Sequence, residues 1–382
     1  MKYLISLHEI LGAGNSRAVG ILNHFGSAKE IFLSDKNTLS NCGLFTKTEL
    51  RKIAGVKISD AEKIISQCHK NGIKIITINS EEYPFCLSVI ENPPLVLYVK
   101  GKLPDFDNTP SICIVGPRKV SEFGKKSAFS LGYRLARSGM TVVSGGALGT
   151  DTYAHAGTLK AEGISVLVLG CGLLYKYLPE NEALRKAITV KGCLISEYSP
   201  MSPPTKYTFP VRNRILSGLT SGTVVIEASQ KSGALITARH ANEQGRDVFV
   251  IPGSPSQKEY EGSNALLRDG AKPLLDASDI FNEYILRFPD KINVERAYEK
   301  SVLNGKKSPK EEIKEKNIKN FNETLSKEAK IVYNCLDRQK FSPEEITGTE
   351  LSSSEILSAL TELEMEFLIK AVPGGMYEKC VD

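Results

Sequence analysis

The sequence predicts an α/β protein with an extended Rossmann-like parallel sheet as its core, a helical N-terminal domain and a winged-helix-like C-terminal domain. Short apolar, β-branched runs alternate with helical segments from about residue 79 to residue 285, which is typical of parallel strands covered on both faces. Nearly every run ends in glycine, serine or a glycine-containing loop. The runs are SICIVG (111–116), TVVSGG (141–146), SVLVLG (165–170), CLISEY (193–198), TVVIEA (223–228) and DVFVIP (247–252).

The N-terminal segment, residues 1–78, is predicted to be a domain of short helices. Apolar residues recur at helical spacing on both sides of the turn Gly12-Ala13-Gly14. A helix, a Gly-x-Gly turn and a second helix resemble the helix-hairpin-helix module, whose turn amides can approach a phosphate. An ordinary helical bundle with a glycine-rich turn is the alternative, so a helical accessory domain is the safer prediction.

A charged linker is predicted for residues 286–325. The run from Lys300 to Asn320 contains seven lysines and three glutamates, with little hydrophobic content. Such a composition cannot bury enough apolar surface to form a core.

The last segment, residues 326–382, reads as three helices followed by a short hairpin around Gly374-Gly375, which is the order of a winged helix. The third helix, about 353–365, carries acidic residues and no basic one; the acids are Glu355, Glu362, Glu364 and, at its edge, Glu366. Because a helix that reads DNA is normally basic, protein contact is favoured over DNA contact for this domain.

Composition narrows the class of protein. The 382 residues include 49 basic and 44 acidic side chains, so the net charge of +5 says little about partners. The eight cysteines are scattered without a CxxC pair, which indicates reduced thiols, and the five histidines show no metal spacing. Neither a signal peptide nor a run approaching eighteen apolar residues is found, so we expect a cytoplasmic protein without a membrane partner.

Local charge is more informative than net charge. Lys206, Tyr207, Phe209, Arg212 and Arg214 form a basic and aromatic cluster ahead of a strand. From Lys206 to Arg239 there are five Lys or Arg and a single carboxylate, Glu227. Cations beside a stackable ring, on a loop that leads into an α/β sheet, favour a nucleic-acid groove over a small-molecule pocket.

A second basic stretch lies between Gly116 and Gly139, with six basic residues and one acid. In the loop after the first core strand, Arg118 stands where a helix should begin, and Ser121 is placed either to cap that helix or to hold a phosphate. The two basic stretches are predicted to form one patch, or else to be two solvated helix faces.

A third loop, residues 144–151, is rich in glycine and includes Gly145 and Gly146. It is neither GxGxxG nor a GK[ST] phosphate loop, so no nucleotide cofactor is predicted. Asp151 and His155, four residues apart, form either an acid–base pair or, as we favour, a helix cap and a packed histidine. A helix is predicted to start at Ser232-Gly233, where the serine hydroxyl and the free amides are either an ordinary cap or another anion site.

Taken together, these segments resemble the DNA-processing protein A family (DprA, also called Smf). The resemblance covers roughly 170 residues in the family's order. The matching segments are YPFCLSVIENPPLVLYVKG (83–101), IVGPRKVSEFG (114–124), VVSGGALGTDTYAHAGTL (142–159), VLVLGCGLLYKYLPEN (166–181), ISEYSP (195–200), KYTFPVRNRILSGL (206–219), VVIEASQKSGALITARHA (224–241) and GRDVFVIPGSP (245–255).

The resemblance implies a homodimer that binds single-stranded DNA and loads RecA onto it in natural transformation and recombination, with neither catalysis nor a cofactor. It places the family's DNA pocket on Arg118, Lys206 and Phe209. Together with the neighbouring loop residues, the predicted DNA-binding set is Gly116, Arg118, Ser121, Gly145, Gly146, Lys206, Phe209, Arg212 and Asn213.

Two positions depart from the family pattern. Pro117 stands where the family usually has serine or threonine. The family usually has the sequence Tyr-Pro-Lys where this chain has Leu178-Pro179-Glu180, so that a glutamate replaces the lysine. Pro117 stiffens the loop and removes a hydroxyl, whereas a carboxylate near the groove is expected to weaken phosphate binding or to leave that contact absent.

An enzyme of the phosphoribohydrolase type, with Glu227 as its catalytic acid, is the alternative function. The PGGxGTxxE signature of those enzymes is absent from the sequence. We therefore expect Glu227 to be paired with a neighbouring base.

Overall fold

The protein divides into two compact units, Met1–Glu299 and Lys300–Asp382. The computed structural model describes residues 1–299, 325–336 and 340–346, together with residues 349, 351–353, 355, 356, 359, 360, 363, 368–372 and 376–379.

The first unit is built on a nine-stranded sheet with the order β1-β2-β6-β5-β4-β3-β7-β8-β9. Its strands are β1 (Ile73–Thr77), β2 (Val96–Gly101), β3 (Ser111–Val115), β4 (Thr141–Ser144), β5 (Ser165–Leu169), β6 (Cys193–Ser196), β7 (Gly222–Val225), β8 (Asp247–Val250) and β9 (Lys272–Pro273). Along the sheet, the seven strands β6-β5-β4-β3-β7-β8-β9 are all parallel to their neighbours. The pairs β1–β2 and β2–β6 are antiparallel. The six predicted core strands are confirmed, and β1, β2 and β9 extend the sheet.

The order of the strands reverses at β3. From β3 the chain builds β4, β5 and β6 on one side, and it then returns to place β7 on the other side of β3. The loops that follow β3 and β7 therefore leave neighbouring strands in opposite directions. In open parallel sheets, this switch point leaves a crevice at the carboxyl ends of the two strands.

Fifteen helices belong to this unit. They are α1 (Lys2–Leu11), α2 (Ala18–Phe25), α3 (Ala28–Leu33), α4 (Lys36–Asn41), α5 (Lys47–Gly55), α6 (Ile58–Lys70), α7 (Phe85–Ser88), α8 (Glu122–Arg137), α9 (Thr150–Lys160), α10 (Glu182–Lys191), α11 (Thr208–Gly218), α12 (Ala234–Glu243), α13 (Glu261–Arg268), α14 (Ala277–Tyr284) and α15 (Val294–Tyr298).

Helices cover both faces of the sheet because neighbouring residues of a strand point to opposite faces. Cys113 and Val115 of β3 pack in a core with α7, α11 and α12. Ile112 and Ile114 of the same strand pack in a second core with α8, α9, α14 and α15. Continuous apolar runs in the sequence are the consequence of this two-sided burial.

Residues 1–70 supply six helices that share a core with Val96 and Tyr98 of β2. The domain boundary expected at residue 78 falls just after β1, which already belongs to the large sheet. The domain boundaries set from the sequence otherwise stay predictions.

These helices contact the core at a buried ion pair between Arg214 and Glu197. Arg214 Nη2 lies 2.7 Å from Glu197 Oε1, and the two side chains are 6% and 2% exposed. The amide of Gly14 also donates to Glu197 Oε1, at 3.1 Å, and His8 Nε2 donates to the Glu197 carbonyl, at 2.9 Å. Gly14 has a φ of 71°, and a Cβ there would lie 2.7 Å from Cγ1 of Val211.

This contact corrects two expectations. The Gly14 amide of the glycine turn binds a protein carboxylate rather than standing free for a phosphate, so the helix-hairpin-helix interpretation is wrong at that amide. Arg214, predicted to be part of a cationic surface cluster, is an interior residue.

The predicted linker starts too early at residue 286. Phe288, Ile292 and Ala297 are buried in the core that contains α8 and α14. The amide of Asn293 donates to the Ser138 carbonyl at 2.9 Å. The lysine-rich run 300–320 lies outside the described residues.

The described part of the second unit contains α16 (Lys327–Asn334) and a three-stranded antiparallel sheet with the order β10-β12-β11. Its strands are β10 (Lys340–Phe341), β11 (Ile369–Val372) and β12 (Met376–Lys379). Buried residues, among them Val332, Leu360 and Ile369, form a core of its own. Gly374, Gly375 and most of the acidic third helix lie outside the described residues, so the winged helix stays a prediction.

Replacing Arg214 by methionine is expected to lower the free energy of unfolding by about 3–5 kcal/mol, because the Glu197 carboxylate would remain buried without its cation. Urea unfolding followed by circular dichroism measures this change. Asp60→Asn is the matched control: it removes an exposed ion pair with Lys63 and should leave the unfolding midpoint unchanged. Equal midpoints for Arg214→Met and the wild type would contradict the structural role of this pair.

Candidate nucleic-acid interface

A cleft of about 380 Å³ opens at the switch point of the sheet, and we call it the switch-point cleft. Its walls come from the loops after β3, β4 and β7, from α11 and from the first turn of α12. Five of the nine residues predicted to bind DNA line it: Gly116, Arg118, Phe209, Arg212 and Asn213. The chain thus brings its first basic loop and its basic–aromatic segment together, although they are about 90 residues apart.

Arg118 and Phe209 lie side by side in the wall of the cleft. The Arg118 side chain is exposed, and its guanidinium carbon lies 5.4 Å from the centroid of the half-buried Phe209 ring. No described carboxylate forms an ion pair with Arg118. The Phe209 ring packs against Gly170, where a Cβ would lie 2.9 Å from its Cδ1. The cleft therefore offers a cation without an ion pair beside an aromatic ring that is held in place.

The loop between β3 and α8, residues 116–121, is called the Arg118 loop, and its backbone is held against the start of α9. The Pro117 carbonyl accepts hydrogen bonds from the amide and the hydroxyl of Thr150, both at 3.2 Å. Gly149, with a φ of 84°, has no room for a Cβ, which would lie 2.3 Å from the Arg118 carbonyl oxygen. Proline keeps the carbonyl that this contact uses, so Pro117 fits the loop despite its departure from the family pattern.

Arg212 and Asn213 form the floor of the cleft rather than its surface. Arg212 is 6% exposed, and its guanidinium donates to the Val168 carbonyl and, at 3.2 Å, to Asn213 Oδ1. Burial lowers the pKa of Arg212, although nearby Asp151 opposes that shift. Burial likewise raises the pKa of Asp151, against the attraction of Arg212. Arg212, predicted as a member of the DNA-binding set, is therefore an interior cation.

Lys206 lies outside the switch-point cleft. Its exposed ammonium is 5.0 Å from the centroid of the Tyr207 ring, and Tyr207 is 69% exposed. Both residues precede α11, whose first turn carries Phe209. The lysine and the phenylalanine predicted to act together therefore occupy neighbouring positions, one on the open surface and one in the cleft.

Three further members of the predicted set do not line the switch-point cleft. Ser121 caps α8 by accepting from the Gly124 amide at 3.0 Å, and it faces a neighbouring cleft of about 670 Å³. Gly145 is buried, and a Cβ there would lie 2.5 Å from Asp151 Oδ2. Gly146 is also buried, and its carbonyl accepts from Asn181 Nδ2 at 3.3 Å.

Fewer cations of the predicted basic patch are free of ion pairs than the number of basic residues in the sequence suggests. Lys125, Arg134 and Arg137 of α8 form ion pairs with Glu122, Asp276 and Glu299. Within the described residues, the cations of residues 116–139 that form no ion pair are Arg118, Lys119 and Lys126. The patch is therefore concentrated at the start of α8.

His155 is a packed residue whose two ring nitrogens are hydrogen-bonded inside the protein. It is fully buried; Nε2 donates to the Gly145 carbonyl at 2.8 Å, so Nδ1 accepts from the Ser165 hydroxyl at 2.7 Å in the neutral ring. Burial lowers the pKa of His155 to about 4. The packed histidine is confirmed, whereas the helix cap is wrong, because α9 follows Gly149 and has no side-chain cap.

Glu227, expected to pair with a base, binds hydroxyls and an amide instead. It is fully buried and accepts from the Ser121 hydroxyl, from the Ser121 amide at 3.1 Å and from the Tyr260 hydroxyl at 3.0 Å. It does not line the switch-point cleft. That expectation is therefore wrong, because the neighbours that reach Glu227 are uncharged donors.

Sequence reasoning missed Tyr177. Its half-buried ring lies 5.7 Å from the Phe209 ring, centroid to centroid, and is tilted by 41°. It belongs to the segment after β5 that carries the family resemblance, but its own sequence gives no sign that it meets α11. Elsewhere in the cleft, Ser232 accepts from the Ala234 amide at 3.3 Å, but the residue that precedes α12 is Gly233, so Ser232 is not its cap.

Two observations concern other kinds of site. In the residues that the structure describes, no group of three or more His, Cys, Asp or Glu side chains is placed to hold a metal ion. No helix in the described part of the chain has both the length and the apolar character needed to cross a membrane.

The fold and the cleft define an α/β protein of the extended Rossmann type with a cationic and aromatic crevice at its switch point. Residues 74–285 match the family of the DNA recombination-mediator protein A. The DNA processing protein DprA of Bacillus subtilis (strain 168) is 39% identical over 221 residues, which are 58% of this chain and 74% of that protein. This chain belongs to the DNA recombination-mediator protein A family.

Solved structures agree with this assignment. The X-ray structure of DNA processing protein A (DprA) from Streptococcus pneumoniae has a TM-score of 0.65 at 30% identity and covers 74% of this chain and 98% of that chain. DNA processing protein A from Helicobacter pylori, whose structure concerns a single-stranded DNA binding mode, has a TM-score of 0.51 at 27% identity. It covers 56% of this chain and 96% of that chain.

Proposed function

We propose that this protein binds single-stranded DNA without sequence preference, with the switch-point cleft at the centre of the binding site. The observation that carries the proposal is the pairing of Arg118 and Phe209, an exposed guanidinium whose carbon lies 5.4 Å from the centroid of an aromatic ring in the wall of the cleft. A guanidinium binds phosphate oxygens in any sequence, and a ring accepts the face of any base. The single-stranded DNA binding mode of the Helicobacter pylori relative supports the same activity here.

The other predicted residues take graded roles in this proposal. Lys206, exposed next to Tyr207, contacts a phosphate beyond the cleft. Gly116 lets the loop approach Thr150, since a Cβ there would lie 2.4 Å from its hydroxyl. Arg212 and Asn213 shape the floor, and Gly145, which backs Arg212, supports it. Ser121 and Gly146 contribute by holding the backbone of the two loops in which they lie.

Binding is favoured over catalysis. The phosphoribohydrolase alternative needs Glu227 as an acid that reaches substrate, but this carboxylate is fully buried and bonded to Ser121 and Tyr260. His155 is occupied on both ring nitrogens. Release of free base from a nucleoside monophosphate would support the enzyme instead.

Single strands should bind at least tenfold more tightly than a duplex of the same length, since stacked and paired bases cannot place their faces on Phe209. Fluorescence anisotropy with labelled oligothymidine, a mixed single strand and a blunt duplex measures this at fixed salt. The two single strands should bind alike within a factor of a few. Equal affinity for the duplex would rule out the cleft as a single-strand site.

Variants of the cleft should distinguish the contribution of charge to DNA binding from that of stacking. Arg118→Ala should weaken binding and flatten the slope of log affinity against log salt by about 0.7, the share of one phosphate contact in a single strand, and Lys206→Ala should do the same. Phe209→Ala should cost about 1–3 kcal/mol of binding free energy and leave the slope unchanged.

Matched controls are available on other surfaces. Arg51 on α5 is exposed, and Phe85 is 68% exposed at the start of α7. Arg51→Ala and Phe85→Ala should change neither the affinity nor the salt slope. If Arg118→Ala behaves like Arg51→Ala while remaining folded, the site is elsewhere.

We further propose that the protein acts in the cytoplasm as a homodimer that loads RecA onto single-stranded DNA during natural transformation and recombination. This proposal is supported by the family membership alone. We expect light scattering to give twice the chain mass at micromolar concentration, and we expect the protein to speed RecA filament formation on coated single strands. A monomer that leaves the rate of filament formation unchanged would contradict it.

A further inference from the structure

Glu227 lies just after β7, at the switch point, and is the acceptor for two different segments. From one side, Ser121 donates its hydroxyl to Oε1 and its amide to Oε2, the latter at 3.1 Å. From the other side, the Tyr260 hydroxyl donates to Oε1 at 3.0 Å. The carboxylate is fully buried, and no described Lys or Arg forms an ion pair with it. Hydrogen bonds to a buried carboxylate are stronger than neutral ones.

The surroundings leave this carboxylate little freedom. A Cβ on Gly124 would lie 2.4 Å from Glu227 Oε1, and a Cβ on Gly253 would lie 1.9 Å from the Tyr260 ring. Tyr260 is 6% exposed, and both burial and the neighbouring Glu227 raise its pKa. The hydroxyl of Tyr260 and the Ser121 end of the loop are therefore fixed relative to the strand.

The Arg118 loop is anchored at two points as a result. Before Arg118, the Pro117 carbonyl accepts from Thr150 at the start of α9. After it, Ser121 donates to Glu227 and caps α8. Only Lys119 and Val120 separate Arg118 from the second anchor. A short segment held at both ends keeps its conformation before any ligand arrives.

We propose that Glu227 and Tyr260 are positioning residues for single-strand binding, which hold the Arg118 loop in its binding conformation by anchoring Ser121. The inference rests on the proposed function, because it takes Arg118 as the residue that meets the phosphate. Neither Glu227 nor Tyr260 lines the switch-point cleft, and Tyr260 lines the neighbouring cleft that Ser121 faces. The dependence on Arg118 therefore distinguishes an effect through the loop from a direct contact of Tyr260 with DNA. A loop that is already ordered loses less conformational entropy on binding.

The test is a double-mutant cycle in the full chain between Tyr260→Phe and Arg118→Ala, with anisotropy titrations of oligothymidine. Tyr260→Phe removes one hydroxyl and keeps the ring, and it should weaken binding about threefold to tenfold, a part of the worth of one hydrogen bond to a charged acceptor. In the Arg118→Ala background the same change should have less than about a twofold effect, because the residue being positioned is gone.

Two further variants separate positioning from general stability. Tyr284→Phe is the matched control: the Tyr284 hydroxyl donates to Asp247 Oδ2 at 2.7 Å, and its ring is buried among the residues around α14. It should lower the melting temperature about as much as Tyr260→Phe and leave the affinity for DNA unchanged. Glu227→Gln, which weakens the acceptor while keeping its shape, should lower affinity in the same Arg118-dependent way as Tyr260→Phe.

The outcomes distinguish this inference from the proposed function. Wild-type affinity for folded Tyr260→Phe and Glu227→Gln, with weakened binding by Arg118→Ala, overturns the positioning role and leaves the binding site standing. An equal loss in both backgrounds also overturns it, since the effect would not pass through Arg118. Wild-type affinity for Arg118→Ala overturns the proposed site and the inference together.

Discussion

The pairing of β7 with β3 determines where the loops of the candidate site meet. Because the chain returns to the side of β3 after completing β6, two loops from distant parts of the sequence leave the sheet at neighbouring points. One of them presents Arg118, and the other leads from Glu227 to the start of α12. The open space between the loops is the switch-point cleft, and α11 supplies Phe209 to its wall.

The basic residues of this protein divide between the interior and the surface. Arg212 and Arg214 stand two residues apart on α11 and are both buried, one against the Val168 carbonyl and the other in an ion pair with Glu197. They fix the helix that carries Phe209. Arg118 and Lys206 remain exposed, and neither forms an ion pair with any described residue. A count of cations along the sequence therefore overstates the surface available to phosphates.

The fold could be predicted where burial leaves a mark on the sequence. The six central strands are apolar on both faces, and their runs are unmistakable. β9 has two residues, one of them a proline, and β1 has a half-exposed pattern, so neither stands out. The linker prediction rests on the lysine-rich run 300–320 and extends back to residue 286, although residues 286–299 include apolar side chains and Phe288 and Ile292 are buried.

The site could be predicted only in part, because its contacts join residues that are far apart in the chain. Arg118 and Phe209 were found from residue type and family resemblance, and the structure places both in one cleft. The partners of Glu227 could not be predicted, because Ser121 is 106 residues away in the sequence and because the two residues that donate to Glu227, Ser121 and Tyr260, are uncharged. Tyr177 was missed for the same reason, as nothing local to it indicates Phe209.

Photo-crosslinking tests the central claim most directly, namely that a single strand lies in the switch-point cleft. The full chain would be irradiated with short oligothymidine carrying one 5-iodouracil, and the modified peptides would be identified by mass spectrometry. We expect adducts to concentrate on the peptides that contain Phe209 or Tyr177, and we expect Phe209→Ala to deplete the adducts on the Phe209 peptide. Adducts confined to residues 1–70 or 325–382 would contradict it.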